Sequence, residues 1–271
     1  MPDNHLSSRV AEMSINSKIS DYSRYFSLRQ KVYLVKMSTE QSSEIYESLS
    51  GIVTSSGLDK LELMVSYSAV DDEVGSATYK LTTEVFGSGI QVLGDLTGIV
   101  DGNIFQFCMR GTLEMFQRRS VSRAEFSTPF FHLRGNFPLA SFKKEWKRVM
   151  DHLAKNATLP GLALRETVIN LGAGGLGITV DESKRPTPIS MFFIGLNEGL
   201  PVCALAETVW EQSVPEGFRC GFRFIHILKA DQERIDSCVS SLILKSGGTH
   251  LDYKRNWVLV DKMVADGRKS G

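Results

Sequence analysis

The sequence predicts a mainly β protein with two small β-barrels, a helix inserted into the second barrel and a helix at its end. Three observations predict this fold. Short runs of alternating apolar and polar residues, separated by turn signals, fill the first half of the chain. The same pattern returns in the second half. Two segments of that half instead carry apolar residues at helical spacing, so we expect helices in the second barrel only.

The first barrel is predicted over residues 30–116, after an N-terminal arm of residues 1–29 to which we assign no fold. The arm is Ser-rich, and its Ile and Tyr residues fit a short helix or a frayed arm. Strand-like runs follow at 31–37, 61–67, 77–85 and 104–115. Turn-forming sequences separate them at 55–57, 71–72, 87–89 and 101–103.

The second barrel is predicted over residues 117–246, with the inserted helix at about 141–156. One face of that helix carries Phe142, Trp146, Val149, Met150 and Leu153. Strand-like runs follow at 164–171, 177–181, 189–196, 201–210 and 221–227. A second amphipathic helix over 231–245 ends at Gly247-Gly248 and closes the barrel. In the tail, 247–271, residues 257–260 fit a partner-docking strand or a packed terminus equally well.

The composition excludes several classes of protein. The chain has 271 residues, of which 42% are hydrophobic and 23% charged, so neither a disordered nor a collagen-like chain is expected. Its 31 basic and 31 acidic residues cancel, which excludes a wholly basic nucleic-acid coat protein, and we expect no DNA partner. The longest stretch without charge, 167–180, is shorter than the roughly 20 residues of a membrane helix. No signal peptide is recognisable, so a cytoplasmic protein without a membrane span is predicted.

Cysteine and histidine lack the spacing of a metal site. Cys108, Cys203, Cys220 and Cys238 form no C-x-x-C pair, and the five histidines are scattered singly. We therefore expect reduced, mostly buried thiols, no metal and no cofactor.

Charge is distributed unevenly along the chain. Residues 40–100 hold ten acidic residues and two lysines, whereas residues 110–155 hold ten basic residues and four acidic ones. The middle of the chain is therefore where we look for an anionic partner. Lys143, Lys144, Lys147 and Arg148 fit a solvated helix face, so the arginines before them are the better candidates.

Residues 172–177 match the G-x-G-x-x-G pattern of dinucleotide-binding sites, which would make the chain a nucleotide-dependent enzyme. Such a site needs a helix that begins at the glycines and holds the pyrophosphate at its N-terminus. Here Ile178-Thr179-Val180 follows, with a turn and Pro186 soon after, which favours a strand. The glycine motif therefore lacks the helix that would hold the pyrophosphate, and we predict that the protein is not an enzyme.

A cluster of three arginines lies at the boundary between the two predicted barrels, in Gln117-Arg118-Arg119-Ser120-Val121-Ser122-Arg123. Each guanidinium can grip a phosphate or the O6/N7 edge of guanine with two hydrogen bonds. Three of them suit a small anionic purine ligand. Taken alone, the cluster fits an exposed basic linker equally well.

Together the two motifs resemble those of one family. Arg119-x-x-x-Arg123, followed by Asn170-x-Gly172-x-x-Gly175, resembles the R-x-x-x-R and [D/N]-x-S-x-x-G signature of PilZ domains, bacterial receptors for cyclic di-GMP. The preceding Gln117-Arg118 is similar to the junction in YcgR-like flagellar-brake proteins, whose N-terminal barrel would correspond to residues 30–116. Gly221-Phe222-Arg223-Phe224 and the helix after it are similar to the end of a PilZ domain. The resemblance covers roughly residues 30–246.

The resemblance implies a ligand site with a role for each residue. Arg118, Arg119 and Arg123 would meet phosphates and guanine Hoogsteen edges, and Asn170 would bind a guanine edge. Gly175 would let the backbone approach the ligand. Gly172 departs from the family, which has a serine there, at a cost of about 0.5–1.5 kcal/mol for the lost hydrogen bond. The 47 positions from Arg123 to Asn170 are also longer than expected, because the predicted helix is inserted between them.

The resemblance also implies a function without catalysis. We expect a cyclic di-GMP receptor whose linker orders on binding and changes the arrangement of the barrels. Its partner would be a protein such as the flagellar motor, in motility or surface attachment. The alternatives are an adaptor whose PilZ domain no longer binds nucleotide, and the enzyme that would use residues 172–177.

Overall fold

The computed structural model describes residues 21–37, 44–65, 77–85, 88–116, 122–156, 163–196 and 199–245. In these ranges the chain forms twelve strands and two α-helices. The strands are β1 (Lys31–Met37), β2 (Ile45–Ser56), β3 (Lys60–Val65), β4 (Thr78–Val85), β5 (Ser88–Val100), β6 (Ile104–Phe116), β7 (Ala124–Arg134), β8 (Arg165–Gly172), β9 (Gly175–Val180), β10 (Ile189–Ile194), β11 (Val202–Val214) and β12 (Gly217–Leu228). The helices are α1 (Leu139–Asn156), between β7 and β8, and α2 (Lys229–Lys245), after β12.

The first barrel is a closed ring of six antiparallel strands in the order β1-β4-β5-β6-β3-β2, with β2 pairing back to β1. Apolar side chains on alternate positions of these strands, among them Leu34, Leu63 and Phe105, are fully buried inside it. The segment before β1 adds Tyr22, Tyr25 and Phe26 to this core. Part of the predicted N-terminal arm is therefore packed against the barrel.

The second barrel is a closed ring in the order β12-β11-β10-β7-β8-β9, with β9 pairing back to β12. Phe192, Phe222 and Phe224 fill its interior, and α2 packs on it through Ile235 and Val239. The mainly β fold with barrels, an inserted helix and a C-terminal helix is confirmed. The domain bounds 1–29, 30–116, 117–246 and 247–271 stay a prediction.

The inserted helix α1 covers the outer face of β10 and β11. Its buried side chains pack in one cluster with Met191, Phe193 and Leu205, which alternate with the residues of the barrel interior. The indole Nε1 of Trp146 donates a hydrogen bond to the carbonyl oxygen of Cys203, 2.8 Å away. Both helices begin two residues before their predicted starts, at Leu139 and Lys229.

The two barrels are joined directly, along a seam between β2 and β12. Ile45, Tyr46 and Glu47 pair antiparallel with Leu228, Ile227 and His226. Beyond this short ladder, the buried hydroxyl of Ser50 donates a 2.7 Å hydrogen bond to Oε2 of the buried Glu207, from β11. Side chains as well as backbone therefore tie the barrels together.

Glu47 is the ionic centre of this seam. Its Oε1 lies 3.0 Å from Nδ1 of His226 and 2.9 Å from Nζ of Lys143, which belongs to α1. The contact with His226 lowers the pKa of Glu47 most, partial burial opposes it, and the ammonium of Lys143 adds to the lowering, so that the pKa falls to about 2. A carboxylate of the first barrel thus contacts groups from two elements of the second.

The sequence-based prediction missed three strands, β2, β5 and β7. The predicted turn at 55–57 was placed too early, because Ser55 and Ser56 are the last residues of β2. The predicted turn at 87–89 likewise overlaps β5, which begins at Ser88. The predicted turn at 71–72 and the tail 247–271 lie outside the described residues.

Candidate ligand-binding site

Asn170 and Gly172 lie on β8, on the strand face that points away from the interior of the second barrel. Ile169 and Leu171 are buried in the barrel core. Because side chains alternate along a strand, Asn170 between them faces outward, and position 172 shares that face. Asn170 is therefore half-buried on this face and Gly172 is buried beneath Ser122 and Arg123, while the apolar residues beside them anchor the strand.

The β8–β9 hairpin brings Gly172 opposite Gly175, with Ala173 and Gly174 as its turn. The carbonyl oxygen of Gly174 accepts a hydrogen bond from the Phe224 amide (3.1 Å), and that of Ala173 accepts one from Nε2 of Gln232 (3.0 Å). Both β12 and α2 thus fix the turn. The strand that the sequence predicted after these glycines is present, where a dinucleotide site would need a helix.

Gly175 occupies a position that only glycine fits. Its φ of +155° disfavours any other residue, and a Cβ here would overlap the carbonyl oxygen of Phe222 on the neighbouring β12. The close packing of hairpin and β12 at this point therefore depends on Gly175.

Arg123 lies over Gly172, just before β7 begins. A Cβ placed on Gly172 would stand 2.9 Å from Cγ of Arg123 and 2.7 Å from the carbonyl oxygen of Ser122. The end of the arginine motif and the glycine motif, distant in sequence, are thus in contact. Arg118 and Arg119 lie outside the described residues.

Trp210 lies on the same surface as these residues, although no sequence motif indicates it. A lateral row runs across the strands from Glu125 through Asn170, Gly177 and Gly221 to Trp210. The indole of Trp210 lies on Gly221 and occupies the space that a side chain at position 221 would fill. Trp210 remains 45% exposed. An exposed aromatic face therefore stands on the same surface as Asn170, where a planar base can stack.

Arg223 is a second residue that the motifs did not indicate as part of the site. It pairs with Gly175 on one side and with Glu207 on the other, in the row next to that of Trp210. Its guanidinium carbon lies 3.9 Å from the ring centroid of Tyr33, on β1 of the first barrel. The site surface therefore extends to the contact between the barrels.

This arrangement can bind an anionic ligand with flat rings. It offers guanidinium donors, an amide and an indole face. Within the described residues no group of His, Cys, Asp and Glu side chains could hold a metal ion.

All four cysteines are unpaired; Cys203 and Cys220 are buried, and Cys108 and Cys238 are partly exposed. No helix of the described part is both long and apolar enough to cross a membrane.

Comparison with known proteins gives matches among solved structures only. No family model matches the chain, and no curated protein does. A structure of the Bacillus subtilis inhibitor of motility MotI/DgrA matches at 10% identity and a TM-score of 0.34, over 81% of this chain and 98% of that one. Escherichia coli YcgR in complex with c-di-GMP matches at 15% identity and a TM-score of 0.26, over 80% of this chain and 85% of that one.

A third match is a tetrameric PilZ domain from Xanthomonas campestris, at 10% identity and a TM-score of 0.32, over 48% of this chain and 92% of that one. YcgR and a PilZ domain are the two parts of the resemblance that the sequence motifs indicated.

Proposed function

We propose that the protein is a receptor for cyclic di-GMP, which it binds on the outer face of the second barrel, where β7 begins beside the β8–β9 hairpin. The contact between Arg123 and Gly172, on the face that carries Asn170, is the observation that supports this most. These residues are separated by about 47 positions and an entire helix, yet they share one surface. Two halves of a ligand-binding motif are expected to meet in this way.

Each residue has a role that its chemistry supports. Arg123, with Arg118 and Arg119 from the preceding segment, would bind the two phosphates and the guanine O6/N7 edges. The amide of Asn170 would bind a guanine edge. Gly172 would hold the arginine segment close to β8, and Gly175 would hold the hairpin against β12 beside the ligand. The exposed indole of Trp210 would stack on a guanine ring. None of these roles requires a nucleophile or a general base, which favours a receptor over an enzyme.

Isothermal titration of the full chain with cyclic di-GMP tests the proposal. We expect saturable binding by the wild type, and a loss of about tenfold or more in affinity for Arg123→Ala or Arg119→Ala, because each removes charged hydrogen bonds. Arg165→Ala is the matched control, since Arg165 is exposed at the far end of β8. Its affinity should equal that of the wild type.

The alternatives give different results in the same experiment. No binding of cyclic di-GMP by a folded wild type would contradict the proposal and favour the adaptor that has lost its ligand. Binding of NAD or GTP, with Arg123→Ala unaffected, would favour the nucleotide-dependent enzyme on residues 172–177.

The proposed output is a changed arrangement of the barrels that alters a protein-binding surface in a motility or surface-attachment system. The site lies beside the contact between the barrels, which supports such a response. Spin labels on β4 and on α1 would report the distance between the barrels with and without ligand, and co-purification under both conditions would identify partners. An unchanged distance together with an unchanged set of partners would contradict this output.

A further inference from the structure

Arg223 links the proposed ligand site to the first barrel. It lies on β12 of the second barrel and is half-buried, and its guanidinium carbon is 3.9 Å from the ring centroid of Tyr33 on β1. This distance is well inside the roughly 6 Å within which a cation over an aromatic face is attracted. The first barrel therefore holds an arginine of the second.

The position of Arg223 is next to the predicted site residues. It is the strand partner of Gly175, which is itself the partner of Gly172, beneath Arg123. Two strand spacings, about 10 Å, separate the backbones of Arg223 and Gly172. Because Gly221 is two residues away on the same face, Arg223 shares the surface that carries the indole of Trp210.

Arg223 is available for a further partner. No ion pair joins it to a carboxylate in the described part of the chain, and the acidic residue opposite it, Glu207, accepts a hydrogen bond from Ser50 across the seam. A guanidinium that stacks on a ring uses its flat face, which leaves its in-plane N–H groups able to donate. A phosphate or a guanine edge is the kind of acceptor that these groups bind.

We propose that Arg223 is a further ligand-binding residue and that Tyr33 positions it, so that the first barrel contributes to the affinity of a site on the second. The inference rests on the proposed function, since it assigns a new contact to the same ligand. Tyr33 would contact the flat face of the guanidinium while the ligand accepts hydrogen bonds from its edge, so both can bind it at the same time. A loss of the ring should therefore weaken binding only through Arg223.

A double-mutant cycle, measured by isothermal titration of the full chain with cyclic di-GMP, tests this. Arg223→Ala should weaken binding about tenfold to a hundredfold, the usual effect of losing hydrogen bonds to a charged group. Tyr33→Leu should weaken it several-fold, and Tyr33→Phe, which keeps the ring, should bind like the wild type. The combination of Tyr33→Leu with Arg223→Ala should bind no more weakly than Arg223→Ala alone.

Arg165→Ala controls for the loss of a positive charge, and thermal unfolding of each variant controls for folding. Should Arg223→Ala not fold, Arg223→Lys keeps the charge without the planar fork and should still weaken binding severalfold. Wild-type affinity in a folded Arg223→Ala or Arg223→Lys would overturn this inference alone. So would a Tyr33→Leu effect that persists undiminished when Arg223 is absent. No binding by the wild type would overturn the proposed function and this inference with it.

Discussion

At the residue scale, Gly172 is explained by packing. In the PilZ motif that the sequence resembles, a serine with a hydrogen-bonding hydroxyl occupies this position. In the structure, a Cβ there would crowd the carbonyl oxygen of Ser122 at 2.7 Å and Cγ of Arg123 at 2.9 Å. Backbone atoms cannot yield as easily as a flexible side chain. Glycine therefore allows the arginine segment to lie directly on β8.

Gly172→Ser should accordingly bind cyclic di-GMP several-fold more weakly than the wild type, because the added Cβ displaces Arg123 or the backbone of Ser122. Titration calorimetry measures the effect. Gly174→Ser is a matched control two residues away, since a Cβ at Gly174 has open space around it. Tighter binding by Gly172→Ser would mean that the serine hydroxyl contributes more than the crowding costs.

His132 is a half-buried titratable residue of the second barrel. Its ring stacks on Phe192, with 4.6 Å between the ring centroids. Burial, and then the charge of Arg134, lowers the pKa of His132 from 6.5 to about 3. Since the folded state disfavours the protonated ring, His132 contributes stability above pH 6.5 that is lost as the pH falls towards 3.

His132→Phe keeps the aromatic contact and removes this titration. The difference in free energy of unfolding between pH 7.5 and pH 4 should therefore be smaller in His132→Phe than in the wild type. Urea unfolding at both pH values measures it. An equal difference in the two proteins would show that His132 does not contribute to the sensitivity to acid.

The sequence predicts the residues that local motifs mark, and these include Arg123, Asn170, Gly172 and Gly175. It does not predict Trp210 or Arg223 as their neighbours. Those two reach the site through the pairing of β9 with β12 and of β12 with β11, which no local pattern specifies. A tryptophan near the end of a strand-like run was the one local signal for Trp210.

At the element scale, α1 was predictable in extent because its apolar residues fall on one face. What that face covers was not predictable, since no local pattern pairs the helix with the apolar outer face of β10 and β11.

The missed strands have physical reasons. In β2 the polar residues Ser48 and Ser50 are buried, which breaks the expected alternation. Glycines interrupt β5, and Pro129 interrupts β7.

Trp146 is the residue through which α1 is fixed. Trp146→Phe keeps most of the buried ring but leaves the carbonyl oxygen of Cys203 without the indole donor. We expect the free energy of unfolding to fall by about 1–3 kcal/mol. Lys144→Ala, on the exposed side of the same helix, is the control and should change little. Equal stability of both variants would contradict the anchoring role of Trp146.

At the scale of the whole molecule, the two barrels share a seam in which Glu47 is the central charge. A carboxyl whose pKa is lowered to about 2 on folding contributes stability above its usual value of 4.5, and this contribution is lost as the pH falls from 4.5 towards 2. The junction of the barrels is therefore expected to weaken in acid. The two-barrel plan follows from the strand pattern, but this seam joins residues about 180 positions apart and was not predictable.

Glu47→Gln should lower the free energy of unfolding by about 1–2 kcal/mol at pH 7 and reduce the further loss between pH 5 and pH 2.5. Urea unfolding at these pH values measures both effects. Glu44→Gln is the control, because the side chain of Glu44 is exposed next to the seam. A parallel pH dependence in Glu47→Gln and the wild type would contradict the central role of Glu47.

The different surroundings of two tryptophans give the protein an optical signal of its own. The indole of Trp146 is 3% exposed, whereas that of Trp210 is 45% exposed on the proposed site. Acrylamide should therefore quench the emission of Trp210 and leave that of Trp146 nearly unchanged. A base stacked on Trp210 would shield it from the quencher. A fluorescence titration of Trp257→Phe, which removes the third tryptophan of the chain, would therefore follow occupancy of the site with Trp146 as an internal reference. Trp210→Phe should abolish that response.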